Sequence, residues 1–156
     1  MKVNKVIIIL GEPNSIFPEI LFKYFNSKKF FKNKKKIILI GSLSLLQKQI
    51  KILKINLKIN LKIINNIKEA QVKNLNIFNI NYNYKKISKI TSNSSQYIST
   101  CFDLALNLIK NNKNTVLING PVSKKHFLKK KYLGITEYIS KKINSKKQVM
   151  LIYNDK

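Results

Sequence analysis

The stretch VIIILGEPNSIFPEILFKYF, Val6 to Phe25, decides the fold. It opens with an unbroken apolar run, Val6–Leu10, that stops at Gly11. A short, β-branched run of this kind is the pattern of a strand buried on both faces, as in a parallel sheet. From Pro18 to Phe25 the pattern turns helical, with Ile20, Leu21, Tyr24 and Phe25 assigned to one face. Pro18 falls in the first turn, where a missing N–H costs nothing. Lys36–Ile40 repeats the strand signature and stops at Gly41, and Ser42 is placed to cap a second helix through Leu43, Leu45, Leu46 and Ile50. This β-α-β-α rhythm is that of an α/β fold.

Further along, Lys51 to Ile90 carries many Asn and Lys and no Gly or Pro to mark its turns. "KINLKINLKII" and Leu75 to Ile80 alternate in places, so the region is read as one or two half-buried strands with irregular connections. Ser94 to Lys110 is the clearest helix, with Ile98, Cys101, Phe102, Ala105, Leu108 and Ile109 on one face. Thr115–Ile118 reads as a third buried strand, ended by Asn119-Gly120-Pro121. Val122–Lys131 reads as a basic helix and Thr136–Ile143 as another, with Ile139 and Ile143 facing in. Val149–Tyr153 reads as a last apolar strand. The apparent "KIN" repetition follows from how common its three letters are and is not a structural repeat.

The chain has 156 residues, which suits one ordinary domain or part of a larger protein. At 44% hydrophobic it can fill a core, unlike a disordered chain. Its net charge is +25, from 31 basic residues, all lysine, against 6 acidic ones. Arginine supplies the planar fork that reads guanine and clamps phosphate, so a dedicated nucleic-acid binder without any would be unusual. Lys, Asn and Ile make up half of the residues, the bias expected of a coding sequence very rich in A and T. Most of the charge is therefore read as drift onto solvated faces, giving salt-dependent, non-specific adhesion to polyanions. The single cysteine, Cys101, excludes an internal disulfide framework and reads as a small core residue. No apolar run approaches the length of a membrane span, and the apolar N-terminal run lacks a small-residue cleavage site. The cytoplasm is the expected compartment, with no membrane partner.

Against this drifted background two islands stand out. Leu10–Ile20 and Leu117–Ser140 together hold all three prolines, three of the four glycines and three of the six acids. Glycine allows close backbone approach, proline fixes a turn and a carboxylate accepts hydrogen bonds, jobs that Lys, Asn and Ile cannot do. Each island directly follows an expected strand. In open α/β sheets that is the carboxyl edge, where ligands bind.

The islands carry a resemblance. The first, "GEPNSIFPE", resembles the G-(D/E)-P-A-G-I-G-P-E segment that opens the 4-hydroxythreonine-4-phosphate dehydrogenases of pyridoxal phosphate synthesis. The second, "GPVSKKHFLKKKYLGITE", resembles their (G/A)-P-(V/I)-x-K … G-H-T-E segment, and "KKQVMLIY" looks like the strand that follows. Gly11, Glu12, Pro13, Ile16, Pro18 and Glu19 match the first motif; Asn14, Ser15 and Phe17 do not, and two of these stand where the family has glycine. Phe17 is expected to fill space that backbone or ligand would otherwise enter. In the second motif Gly120, Pro121, Val122, Lys124, Gly134, Thr136 and Glu137 match, while Ile135 replaces the histidine.

The resemblance implies an α/β/α sandwich similar to the isocitrate and isopropylmalate dehydrogenases, here incomplete: a first lobe over about residues 1–120 and the start of a second over about 121–156. It implies NAD-dependent oxidation and decarboxylation of 4-phosphohydroxy-L-threonine, a divalent metal that polarises the keto acid, and a homodimer. The family's metal-ligating histidines and most of its cofactor site lie past the G-H-T-E segment. The chain is therefore expected to supply no catalytic or metal-ligating residue, to bind neither NAD nor metal well alone, and to be inactive by itself as a diverged or truncated half.

Within that frame Thr136 and Lys124 are the substrate-binding candidates, with Ile135 unable to hydrogen-bond in the histidine's place. Thr136 reads equally as an N-cap with Glu137 in the first helical turn. Gly11, Glu12, Pro13, Glu19, Gly120, Pro121, Gly134 and Glu137 are expected to orient the loops, the two N-terminal glutamates by accepting from loop N–H groups. His126, the only histidine, reads as a residue of a lysine-rich helix rather than a metal ligand. Two alternatives compete with this assignment: a small lysine-rich nucleic-acid-binding protein, and a non-catalytic remnant that pairs with a full-length relative. The first leans on charge alone, because the lysines are spread through every segment rather than patterned on one face.

Overall fold

The computed structural model describes residues 3–83 and 90–145. Five parallel strands form one sheet, β1 (Lys5–Ile9), β2 (Lys36–Gly41), β3 (Leu61–Ile63), β4 (Leu75–Asn79) and β5 (Thr115–Asn119), in the order β3-β4-β2-β1-β5. Helices α1 (Phe17–Phe25), α2 (Lys28–Lys32) and α3 (Leu43–Ile52) belong to one face, α4 (Ser95–Lys110) and α5 (Ile135–Lys142) to the other. The result is an α/β/α sandwich, as the resemblance implies.

Alternation along the central strands builds both cores. Val6, Ile8, Leu10, Ile37, Leu39, Leu75 and Ile77 pack with Leu21, Phe22 and Phe25 of α1, Phe30 of α2 and Leu46 of α3. Ile7, Ile9, Ile38, Ile40 and Phe78 pack with Ile98, Cys101, Phe102 and Ala105 of α4 and Tyr138 of α5. Covered on both sides, β1 from Val6 to Ile9 and β2 from Ile37 to Ile40 need apolar residues at every position, which is why they read as unbroken runs. Ser42 caps α3 by accepting from Leu45 N (3.3 Å), and Ser27 caps α2 by accepting from Phe30 N (3.3 Å).

Several expectations are corrected. The buried face of α1 is Pro18, Leu21, Phe22 and Phe25, leaving Ile20 and Tyr24 exposed. The Lys51–Ile90 region does yield two strands, but β4 is buried on both faces rather than one. Its polar Asn76 survives there because Nδ2 donates to the Ile37 and Gln71 carbonyls (2.8 and 2.9 Å) while Oδ1 accepts from Gln71 N (2.9 Å). Among the described residues β5 lies at the sheet edge, with Val116 and Ile118 exposed, and is not the buried strand expected. Residues 122–131 form a series of turns, not a helix. Lys129 and Lys130 adopt left-handed backbone (φ 50° and 58°), which ends the single helical turn closed by Phe127 N donating to Ser123 O. In α5, Tyr138 takes the inward position and Ile139 is partly buried against the core, while Ile143, just past the helix, is exposed. The strand expected at Val149–Tyr153 lies outside the described residues.

Candidate functional site

Strand order places the two islands. From β1 the chain moves through α1 and α2 to β2 on one side; from β4 it returns through α4, on the opposite face, to β5 on the other side of β1. The connections diverge between β1 and β5. In an open α/β sheet this topological switch point opens a crevice at the carboxyl edge, the usual place for a ligand. The loops leaving β1 and β5 are the two islands.

The loops touch through backbone. Gly120 N donates to Ile9 O (2.7 Å), and Glu12 N donates to Pro121 O (2.9 Å). Gly11 is left-handed, φ 72°, and a Cβ there would lie 2.5 Å from Pro121 O and 2.8 Å from the Gly120 carbonyl carbon. A Cβ at Gly120 would lie 2.5 Å from Leu10 O and 2.7 Å from the Phe17 ring. Both glycines are therefore required for the loops to meet. Phe17 fills the space expected of it, against Gly120 and the α1-side core.

Glu12 is 2% exposed. Its carboxylate accepts from Ser94 Oγ at 3.0 and 3.1 Å, a serine 82 residues away at the start of α4. Burial raises its pKa above the ordinary carboxylate value, opposed by the Ser94 hydrogen bond and the charge of His126. Tyr82 is also raised, by burial and by Glu12. The next residue, Ser95, donates from Oγ to His126 O (3.1 Å). Two consecutive serines at the start of α4 thus hold the first island and the second. The side chain of Glu12 engages a serine, not the loop N–H groups expected, although its backbone carbonyl does accept from Ser15 N (3.1 Å). Glu19 instead pairs with Lys23 on the surface of α1 (2.8 Å). Pro13 is buried, and its carbonyl accepts from Gln49 Nε2 of α3 (2.9 Å).

In the second island, Pro121 and Lys124 are exposed. Phe127, Leu128 and Tyr132 anchor the turns: Phe127 stacks on Phe102 of α4 (centroids 5.9 Å), and Tyr132 meets Tyr138 of α5 edge-on (5.3 Å). This leaves Lys124, Lys125, Lys129, Lys130 and Lys131 facing outward. His126 lies among these turns, half buried, rather than in a helix. Gly134 is the extended residue before α5, so the expected cap at Thr136 is corrected: Thr136 is exposed within the first turn, beside exposed Glu137. Ile135 packs against the aromatic core.

Sequence reading missed Ser94, Ser95, Gln49 and Tyr82. The serines had a local explanation as helix-start residues, and Gln49 sat among polar neighbours; their partners are distant in sequence. Cys101 is buried as expected, its thiol pushed up to about 12 by burial.

Among the described residues no three of His, Cys, Asp and Glu converge as a metal would require. Nor do the glycines form a pyrophosphate cradle, because each other's backbone already occupies the space a Cβ would fill. No step through metal or NAD is assigned to these residues.

No curated protein sequence matches this chain. Several solved structures share the fold. One, from Salmonella typhimurium, assigned as a 4-hydroxythreonine-4-phosphate dehydrogenase, has a TM-score of 0.76 at 21% identity and covers 99% of this chain and 49% of its own. A 4-hydroxythreonine-4-phosphate dehydrogenase from Burkholderia phymatum gives 0.78 at 14% identity, covering 94% and 46%. That of Klebsiella pneumoniae gives 0.73 at 18%, covering 88% and 44%. The chain spans just under half the length of these relatives. The family described as pyridoxal phosphate biosynthetic protein PdxA matches residues 33–156, which include the second island, while the structural match extends over the first. With four-fifths of its residues inside that match, the chain belongs to the PdxA family.

Proposed function

We propose that this chain forms one wall of the substrate cleft of a 4-hydroxythreonine-4-phosphate dehydrogenase, the activity named for its solved relatives. The reaction so inferred is NAD-dependent oxidation of the secondary hydroxyl of 4-phosphohydroxy-L-threonine followed by loss of carbon dioxide, in vitamin B6 synthesis in the cytoplasm. One observation carries the reading: two glycine loops meet at the switch point of the sheet, with Glu12 buried beneath them.

In this reading Lys124, exposed beside Pro121, offers the substrate phosphate a point charge, and exposed Thr136 offers a hydroxyl to its polar end. Gly11, Glu12, Pro13, Gly120, Pro121 and Gly134 shape the wall. Glu19 and Glu137 serve the surfaces of their helices. Ile135 has exchanged a polar contact for a core anchor, so the wall holds substrate less well than one with histidine there. The chain crosses from a first lobe into a second near residue 120, with α5 at the junction. The remaining donors, for metal and for NAD, come from the rest of a complete homodimeric enzyme, and this chain alone does not turn over.

The test is to supply the purified chain with NAD, a divalent metal and the phosphorylated hydroxythreonine, following NADH formation and, by calorimetry, binding. Expected is binding without turnover, weakened about tenfold by Lys124→Ala, as for one charged hydrogen bond. Clear turnover by this chain alone, or binding indifferent to Lys124, would refute the assignment.

A further inference from the structure

Strand β5 ends in Asn119, and Gly120 follows it; the sequence holds no other Asn-Gly pair. An asparagine before glycine is the peptide most prone to lose its side-chain amide, because no Cβ shields the glycine nitrogen. The Gly120 nitrogen attacks Cγ of Asn119 and passes its proton to the leaving amide. The N–Cγ bond forms, the Cγ–Nδ2 bond breaks and ammonia departs. Water then opens the five-membered imide at either carbonyl, leaving aspartate or isoaspartate.

Both reacting groups are held off this path in the folded chain. Asn119 pairs with Ile9 in the parallel β1–β5 ladder, and Gly120 N, the attacking atom, donates to Ile9 O at 2.7 Å. The leaving amide is engaged as well: Asn119 Nδ2 donates to Gly120 O at 3.1 Å. To reach Cγ the Gly120 peptide must turn out of the sheet, and it has no room to do so. Gly120 is buried, with Leu10 O and the Phe17 ring packed where a Cβ would stand. Beyond it, Pro121 O is fixed by Glu12 N at 2.9 Å.

These restraints share one origin, the meeting of the β1 and β5 loops. Among the described residues β5 pairs with β1 alone, so Asn119 has no second strand to hold it. Segments of this kind open at a smaller free-energy cost than the whole domain. We propose that Asn119-Gly120 is a self-modification site gated by this contact, deamidating when the two loops part while the rest of the sandwich stays folded. The product locks the opening in. It sets a carboxylate against the Gly120 carbonyl where an amide donated, and the isoaspartate form adds a methylene to the backbone, so the loops no longer fit.

Peptide mapping by mass spectrometry follows the conversion of Asn119 in mildly alkaline buffer. Reaction through a transiently open state tracks the population of that state, so the folded chain should react at least about tenfold more slowly than the chain in unfolding guanidinium chloride. Below the unfolding transition the rate should stay nearly flat with denaturant, because parting two loops exposes little surface. Gly11→Ala, which loosens the contact, should speed the reaction of the folded chain at least about tenfold. Leu46→Ala, a core truncation under α3, should leave it unchanged, and all three chains should react alike when unfolded. Equal rates in the folded and unfolded parent overturn the inference, as does another asparagine reacting first in the unfolded chain. A rate that climbs below the transition with the full unfolding slope assigns the gate to global unfolding and overturns it too, and this measurement needs no variant. So does a folded Gly11→Ala chain no faster than the parent, or a Leu46→Ala chain accelerated equally.

Discussion

Replacing Gly11 with alanine attacks the loop contact at its tightest point. The variant must hold an L-residue at φ 72° and place Cβ 2.5 Å from Pro121 O and 2.8 Å from the Gly120 carbonyl carbon. Left-handed backbone costs a non-glycine residue about 1–2 kcal/mol. Relieving the overlap costs a further ~1–3 kcal/mol, because the atoms met are backbone and not the movable end of a side chain. The sum for Gly11→Ala is roughly 2–5 kcal/mol. Gly120→Ala has only the overlap, against Leu10 O and the Phe17 ring, so about 1–3 kcal/mol is expected. Gly134→Ala is the internal control: its Cβ would meet only the end of the Glu137 side chain, 3.1 Å away, and its backbone is extended, so about 1 kcal/mol or less is lost. Urea unfolding of the three variants and the parent, analysed at constant slope, reads these differences. The order Gly11, Gly120, Gly134 is the expected one. Variants at Gly11 and Gly120 as stable as the parent would refute the claim that the loops are pressed together.

Further expectations follow from the polar ties around this contact. Because the pKa of Glu12 is raised in the folded chain, its contribution to stability is full below the unfolded carboxyl pKa and is lost as pH rises through the folded value. Glu12→Gln should therefore gain stability relative to the parent as pH is raised from acid toward neutral, measured as urea midpoints across that range; a constant difference would contradict the raised pKa. Ser94→Ala leaves the buried carboxylate without its hydroxyl donor and should cost about 1–3 kcal/mol near neutral pH, less in acid where the carboxyl is protonated. Lys23→Ala removes an exposed ion pair one helical turn long and should change stability by less than about 0.5 kcal/mol. The Cys101 thiol, 1% exposed, should react with iodoacetamide only on unfolding; rapid labelling of the native chain would place it elsewhere.

Much of this architecture is legible in short windows of sequence. The runs at Val6–Leu10 and Ile37–Ile40 are apolar at every position because both faces of their strands are covered, and Ser42 announces α3 because its cap is local. The islands stood out because few residue types can replace glycine where two backbones meet. What failed to show depends on position in the sheet or on distant partners. Thr115–Ile118 has the same apolar look as a central strand, yet among the described residues it pairs only with β1. Residues 122–131 contain ordinary helix formers, and the left-handed turn at Lys129 and Lys130 leaves no mark in a lysine run. Glu12 and Ser94 are joined across 82 residues, and nothing near either position points to the other.

We propose that the β1 and β5 loops form one ligand wall. Chemical-shift mapping of the 15N-labelled chain during titration with the phosphorylated hydroxythreonine tests it most directly. Shifts concentrated at Gly11, Glu12, Gly120, Lys124 and Thr136 are expected, saturating together. Saturable shifts gathered on another face of the sheet, or no shifts at all, would contradict it.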